Sequence, residues 1–310
     1  MRLFSRLATE QNSIAIKAEN MTARSIVGAI AAGFIYNRGH EFSFLIKYLL
    51  MIMLFFPLLK ASVPRDAAVY NHAMKLCLVM AGTSITAYWL LKSWNRELAT
   101  IAFLLIATPT ATAAPMVIRL LNKNVTYVIT AVVTTNLLAA LSLPFILDFI
   151  HPGERNINPG NMLLATMTVV GIPLVLAQLI RTHRIQLANK LTDINKLPFL
   201  IWLLVIYLAT AKASDYSYSH HVPSLMLGKI ALISLLTCGF NFLIGHYVGG
   251  VNYAVEGSQS LGQKNTMFMS WIALEYVSPL AVLGPVCYLV FQNLYNSVLL
   301  SRNKHPKPVG

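Results

Sequence analysis

The sequence predicts an all-α polytopic membrane protein of ten transmembrane helices arranged as two inverted five-helix repeats. Three observations carry this. Of 310 residues, 56% are hydrophobic and only 11% are charged, against roughly 25% in ordinary soluble domains. The mean hydropathy is +0.61. The apolar residues also gather in runs near the length of about 20 residues that a spanning helix needs, and short connections between the runs leave no room for a separate soluble domain.

The first run, 21–37, is short and rich in glycine and alanine. The second, 42–59, is followed by the polar stretch Lys60–His72. The third, 70–91, begins without a sharp boundary. The fourth and fifth, 98–121 and 125–147, complete the first half. The polar stretch His151–Gly160 leads into the second half, with runs at 161–181, 197–212, 223–248, 254–278 and 280–301. Arg181–Lys196 and Ser214–Pro223 are its longer polar connections. The chain thus divides into a segment 1–20, a first repeat over 21–150, a second over 151–301 and a tail over 302–310. A unit with an odd number of spans must invert when it is duplicated, and inverted repeats are a hallmark of secondary transporters. Met1–Asn20 lacks the unbroken apolar core of a cleaved signal peptide. It reads as a mixed, weakly amphipathic leader, either lying on the membrane surface or frayed.

The net charge is +13. The cations are scattered between apolar runs and form no patch with interleaved aromatics, which argues against a nucleic-acid partner. With the N-terminus inside and the spans alternating, sixteen of the 24 Lys and Arg residues fall on the inner side. Seven fall outside and Lys264 lies at mid-depth. This asymmetry predicts both termini in the cytoplasm, in the cell (inner) membrane. Cys77, Cys238 and Cys287 all sit in apolar runs without a CxxC or Cys/His cluster. They read as small buried hydrophobes, and neither metal nor cofactor is expected.

Two runs are interrupted at matching places in the two halves. The fourth contains TPTATAAP, Thr108 to Pro115; the ninth contains LGQKNTM, Leu261 to Met267. Pro109 and Pro115 each remove a backbone donor and clash with the preceding turn. The hydroxyls of Thr108, Thr110 and Thr112 are placed to meet the carbonyls this frees. Irregular backbone at that depth is tolerated only against protein or a water-filled cavity. The alternative is a pair of ordinary proline kinks. In the ninth run Gly262 weakens the helix, and Gln263, Lys264 and Asn265 follow. Ten residues from Ala254 at about 1.5 Å each put Lys264 about 15 Å deep, the middle of a core about 30 Å thick. A charge there costs at least about 2.5–3.5 kcal/mol and marks a functional candidate. The alternative is a lysine that bonds carbonyls for structure alone. None of the eleven carboxylates falls at mid-membrane, so Lys264 suits an anionic ligand or a role in proton exchange. Lys47 and Lys229, about five residues from helix ends, are read as snorkelling.

These segments resemble the bile acid:sodium symporter superfamily. IATPTATAAPMVIRLLNKN (residues 106–124) is similar to that family's fourth-helix segment, where a Pro-Gly-Gly-Thr-Ala-Ser-Asn run unwinds. EGSQSLGQKNTM (256–267) is similar to its ninth-helix segment, typically Glu-x-Gly-x-Gln-Asn-Ser-Gly. VFQNLYNSVLL (290–300) resembles its tenth-helix segment with a His-Asn pair. The resemblance rests on few identities, but the helix count and spacing agree along nearly the whole chain. It implies a core domain from helices three to five and eight to ten, whose broken fourth and ninth helices cross. It also implies a panel domain from helices one, two, six and seven. Family substrates are bile salts and other organic anions, usually driven by sodium and moved by alternating access. The departures lie in the sodium sites. Ala114 and Pro115 stand where the family has its Ser-Asn. Ser260 aligns with the sodium-binding glutamate and Lys264 with the glutamine, while Gln292 and Asn293 replace the His-Asn pair. Gly262 and Asn265 are kept, and Thr266 stands for serine. The resemblance therefore implies dismantled sodium sites, with the Lys264 ammonium able to take the ion's place.

Among other motifs, His220 and His221 in SYSHHV read as a solvated outer loop rather than a metal site. No HExxH, GxSxG, Walker A or strand–helix GxGxxG occurs, so no enzyme is expected. Tyr36, Trp94, Trp202 and Tyr276 read as interfacial belts. The expected function is transport of a small organic anion by a monomer. Lys264 would be the countercharge, with Asn265, Gln263, Thr112, Gln292 and Asn293 as polar partners, and Pro109, Pro115 and Gly262 would shape the crossing. Coupling to a proton, exchange and no coupling all stay open. The alternatives are a sensor or receptor on the same fold, and a sodium-coupled symporter with altered ion ligands.

Overall fold

The structure is a computed structural model and describes residues 24–60, 67–150, 158–192, 194 and 196–303. The segment 1–20, parts of the loops after 60 and 150, and the tail beyond Asn303 lie outside these residues. Among the described residues there are helices and no strands, with one isolated antiparallel bridge between Thr110 and Lys264.

In chain order the helices are α1 Arg24–Ile35, α2 Leu45–Lys60, α3 Ala67–Leu91, α4 Arg96–Ala107, α5 Ala114–Leu120, α6 Val125–Ile150, α7 Pro159–His183 and α8 Ile185–Thr192. They continue as α9 Lys196–Ser219, α10 Ser224–Gly262, α11 Thr266–Ile272 and α12 Leu283–Asn303. A 3-10 turn, Asn37–Phe42, joins α1 to α2. Five helices, α3, α6, α7, α9 and α10, are long and apolar enough to cross a membrane, and the chain is membrane-embedded. The fourth apolar run is α4 plus α5, two short helices rather than one.

α10 is 39 residues long but leaves helical geometry at Gly250 (φ 61, ψ −164) and Tyr253 (φ −134, ψ 29). It is two helices, 224–249 and 254–262, separated by a sharp bend. Gly250 has a backbone conformation that only glycine adopts readily. The two halves then pass so closely that a Cβ on Gly257 would overlap the Gly249 backbone. The bend separates the eighth and ninth apolar runs where the sequence predicts a connection.

Two departures from the expected helix ends have local causes. α9 continues past residue 212 to Ser219 because its polar residues satisfy themselves on the helix: Ser217 Oγ donates to Ala213 O at 2.7 Å. The polar stretch 181–196 contains α8, whose Ala188 and Leu191 pack on Ala177 of α7 and Leu59 of α2.

α3, α4, α6, α10 and α12 pack around one another, and α2, α7 and α9 form a second group against them. The centre belongs to the broken helices. Every residue of α4 from Leu98 to Ala107, and all seven of α11, are buried. A helix apolar on all sides belongs in a core. Phe103, Phe268 and Tyr288 fill the space between them.

Candidate functional site

The break after α4 begins one residue before Pro109. Thr108 is extended (φ −64, ψ 138), as a residue preceding proline prefers, and Pro109 has no N–H to continue the ladder. The chain resumes helical geometry at Ala114. Pro115 lies in the first turn of α5, where a missing N–H costs nothing. It opens a helix, and Pro109 alone interrupts one. In the other half α10 ends at Gly262, and Gln263 is extended (φ −89, ψ 99). Asn265 then caps α11, its Oδ1 accepting from Phe268 N at 3.2 Å.

The two breaks lie against each other. Ala111 N donates to Gln263 O at 2.8 Å and Asn265 N donates to Pro109 O at 2.9 Å. Thr110 and Lys264 thus face each other in a minimal antiparallel pairing. A buried backbone polar group must find a partner, and the breaks expose many at once. Leu105 O accepts from Asn241 Nδ2 at 3.2 Å. Thr110 O accepts from Asn136 Nδ2 at 3.0 Å, while Thr110 N donates to Thr135 Oγ1 at 3.0 Å. Ser260 O accepts from Thr110 Oγ1 at 2.6 Å. Gly262 O accepts from Tyr288 OH at 2.8 Å. Gly262 itself faces the Phe242 ring so closely that no side chain would fit.

Lys264 answers two more of these groups. Its Nζ donates to Ile106 O at 2.7 Å and to Thr108 O at 2.8 Å. Its main-chain N donates to Gln292 Oε1 at 2.9 Å. The side chain is 1% exposed, and among the described residues no carboxylate lies within ion-pair distance. The side-chain nitrogen is thus buried and held by two backbone carbonyls. Ala114, Ser260 and Lys264 are buried and Pro115 is half-buried. Ser260 Oγ, Gln259 Oε1 and Gln263 Oε1 are buried without a hydrogen-bond partner.

A cavity of about 470 Å³ opens beside the crossing. Its wall holds all six residues expected to meet a substrate: Thr112, Gln263, Lys264, Asn265, Gln292 and Asn293. Met53, Met116, Phe199, Trp202 and Leu289 supply an apolar side. Trp202, six residues into α9, also lines this cavity. The lining extends to Leu120, Pro198 and Leu300, near the ends of α5, α9 and α12, and among the described residues includes no Asp, Glu, His or Cys. His220 and His221 lie elsewhere, in the turn after α9, with His220 stacked on Tyr216 at 4.0 Å. Among the described residues no group of His, Cys, Asp or Glu could hold a metal ion.

Thr135, Asn136, Asn241 and Tyr288 buttress the crossing, and the sequence reading did not single them out. The available signal was an amide within an apolar run at Asn136 and Asn241. The Thr and Tyr hydroxyls gave none, because such residues are common in membrane helices for other reasons. No protein-family model matches the chain, and no curated protein matches it.

Proposed function

We propose that the chain is a secondary transporter that carries a small organic anion by alternating access, without sodium, Lys264 supplying the ion's charge. The observation that carries this reading is the Lys264 ammonium bridging Ile106 O and Thr108 O at the contact of two interrupted helices. A free cation in a sodium-driven carrier would do that work with oxygen ligands. Here a covalently attached one does it, beside a cavity with an apolar wall and an amide-rich face. Among the described residues the wall holds amides, hydroxyls and a lysine rather than Asp, Glu, His or Cys, which favours binding over acid–base or nucleophilic chemistry.

The likeness to the bile acid:sodium symporter superfamily is part of the same proposal. The grouping of α3, α4, α6, α10 and α12 apart from α2, α7 and α9 supports a core and a panel. The bend at Gly250 and the paired breaks support ten spans in two inverted repeats. Both termini are then cytoplasmic in the cell membrane.

The test begins with a thermal-shift screen of organic carboxylates on purified protein at several pH values. Uptake of the best stabilising carboxylate into proteoliposomes is then measured with and without a sodium gradient. Equal uptake is expected, and strict sodium dependence would overturn the sodium-free reading. Binding without any flux would favour a sensor built on the same fold.

A further inference from the structure

A second cavity of about 720 Å³ lies away from the crossing, in a groove between α3 and the first half of α10. On α10 its lining runs from Lys229 to Ile244, a rise of about 22 Å at about 1.5 Å per residue. That exceeds the half-thickness of about 15 Å in a hydrocarbon core of about 30 Å, so the groove can take a chain from one leaflet at full length. Its rims are exposed leucines: Leu90, Leu232 and Leu236. In a membrane-embedded chain such a surface faces lipid.

The floor is shaped for hydrocarbon. Thr83 Oγ1 donates to Val79 O at 2.6 Å, Thr86 Oγ1 to Gly82 O at 2.8 Å and Thr237 Oγ1 to Ile233 O at 2.7 Å. Each hydroxyl is therefore satisfied on its own helix. On α3 the lining includes the small residues Gly82 and Ala87, and Ile106, Ile233, Phe240 and Ile244 add apolar wall. A Cβ on Gly82 would meet nothing within 4 Å, so this glycine leaves open space rather than room for a neighbour.

One end of the groove is cationic. Lys229 Nζ lies 5.4 Å from the Trp94 ring centroid, and Lys92 Nζ lies 3.0 Å from that of Trp89. Among the described residues neither lysine has a carboxylate within ion-pair distance. Tryptophan with lysine is the composition of a membrane interface, here set at the mouth of an apolar slot. We propose that this groove binds a phospholipid with an anionic headgroup, one acyl chain lying past Gly82 and Thr86 and the headgroup meeting Lys229 and Lys92. The proposal rests on membrane embedding alone and is independent of the transport reading.

The test is native mass spectrometry of the full chain in detergent, titrated with phosphatidylglycerol and, separately, phosphatidylcholine. The expected result is several-fold more phosphatidylglycerol bound than phosphatidylcholine. Gly82→Leu fills the floor and should lower retention of both lipids several-fold. Lys229→Gln should bring phosphatidylglycerol down to the phosphatidylcholine level while leaving the latter unchanged. Equal binding of the two lipids by the wild type, or undiminished binding in Gly82→Leu, would overturn the proposal. If Gly82→Leu does not fold by thermal melt, the headgroup preference in Lys229→Gln decides alone.

Discussion

The ammonium of Lys264 holds two carbonyls that α4 gives up where it breaks. Removing it leaves both buried without that donor, at about 1–3 kcal/mol each. Lys264→Ala is expected to lower the thermal unfolding temperature in detergent markedly. Under the tethered-cation reading, sodium chloride should recover part of that loss in the variant and do little for the wild type. The same variant should lose uptake or gain a need for sodium, and wild-type uptake would leave the lysine a purely structural role. Gly262 offers a second test. A Cβ there would fall on the Phe242 ring, which stacks on Tyr295 at 3.8 Å. Gly262→Ala should therefore cost about 1–3 kcal/mol by overpacking, read as a lower unfolding midpoint. Lys264 was legible in the sequence because a charge inside an apolar run has few explanations. Tyr288 and Thr135 were not, because only the fold says which carbonyl or amide each one meets.

At the scale of elements, the paired interruptions were readable from prolines and a Gly-amide-Lys run, and the structure sets them side by side. What could not be read was how the halves divide the work. Pro109 interrupts α4, whereas Pro115 begins α5, and two prolines six residues apart look equivalent until the helix start is known. The bend in α10 has its own determinant. Gly250, at φ 61 and ψ −164, occupies a region that costs other residues about 1–3 kcal/mol. Gly250→Ala should destabilise by that amount in thermal unfolding, whereas Gly239→Ala, at a helical site with open space, should be neutral or slightly stabilising. Helix ends were least legible where polar residues bond to their own helix, as in α9. The short α8 was missed because its apolar face covers only a small satellite cluster.

For the whole molecule, the cavity reaches toward one end of the bundle, where Leu120 and Leu300 lie beside the exposed Arg119 and Arg302. Under the proposed orientation, with positive charge inside, that end would be cytoplasmic and the cavity would open inward. A membrane-impermeant maleimide should then label Ser297→Cys in inside-out vesicles and spare it in right-side-out ones. The opposite pattern would reverse the assigned orientation. The basic rim also favours entry of anions over cations.

A cation tied to the chain by its own side chain cannot be released on the far side of the membrane. Under the transport reading, Lys264 therefore takes part in every cycle and carries no sodium ion down a gradient. With no proton or second anion coupled, the work must come from the substrate itself. A charge crossing 100 mV exchanges about 2.3 kcal/mol, and a cell interior is negative. An anion moved alone would be driven outward unless its own concentration difference opposed this. Fixing the ion in the fold would thus turn a machine for accumulation into a valve for export.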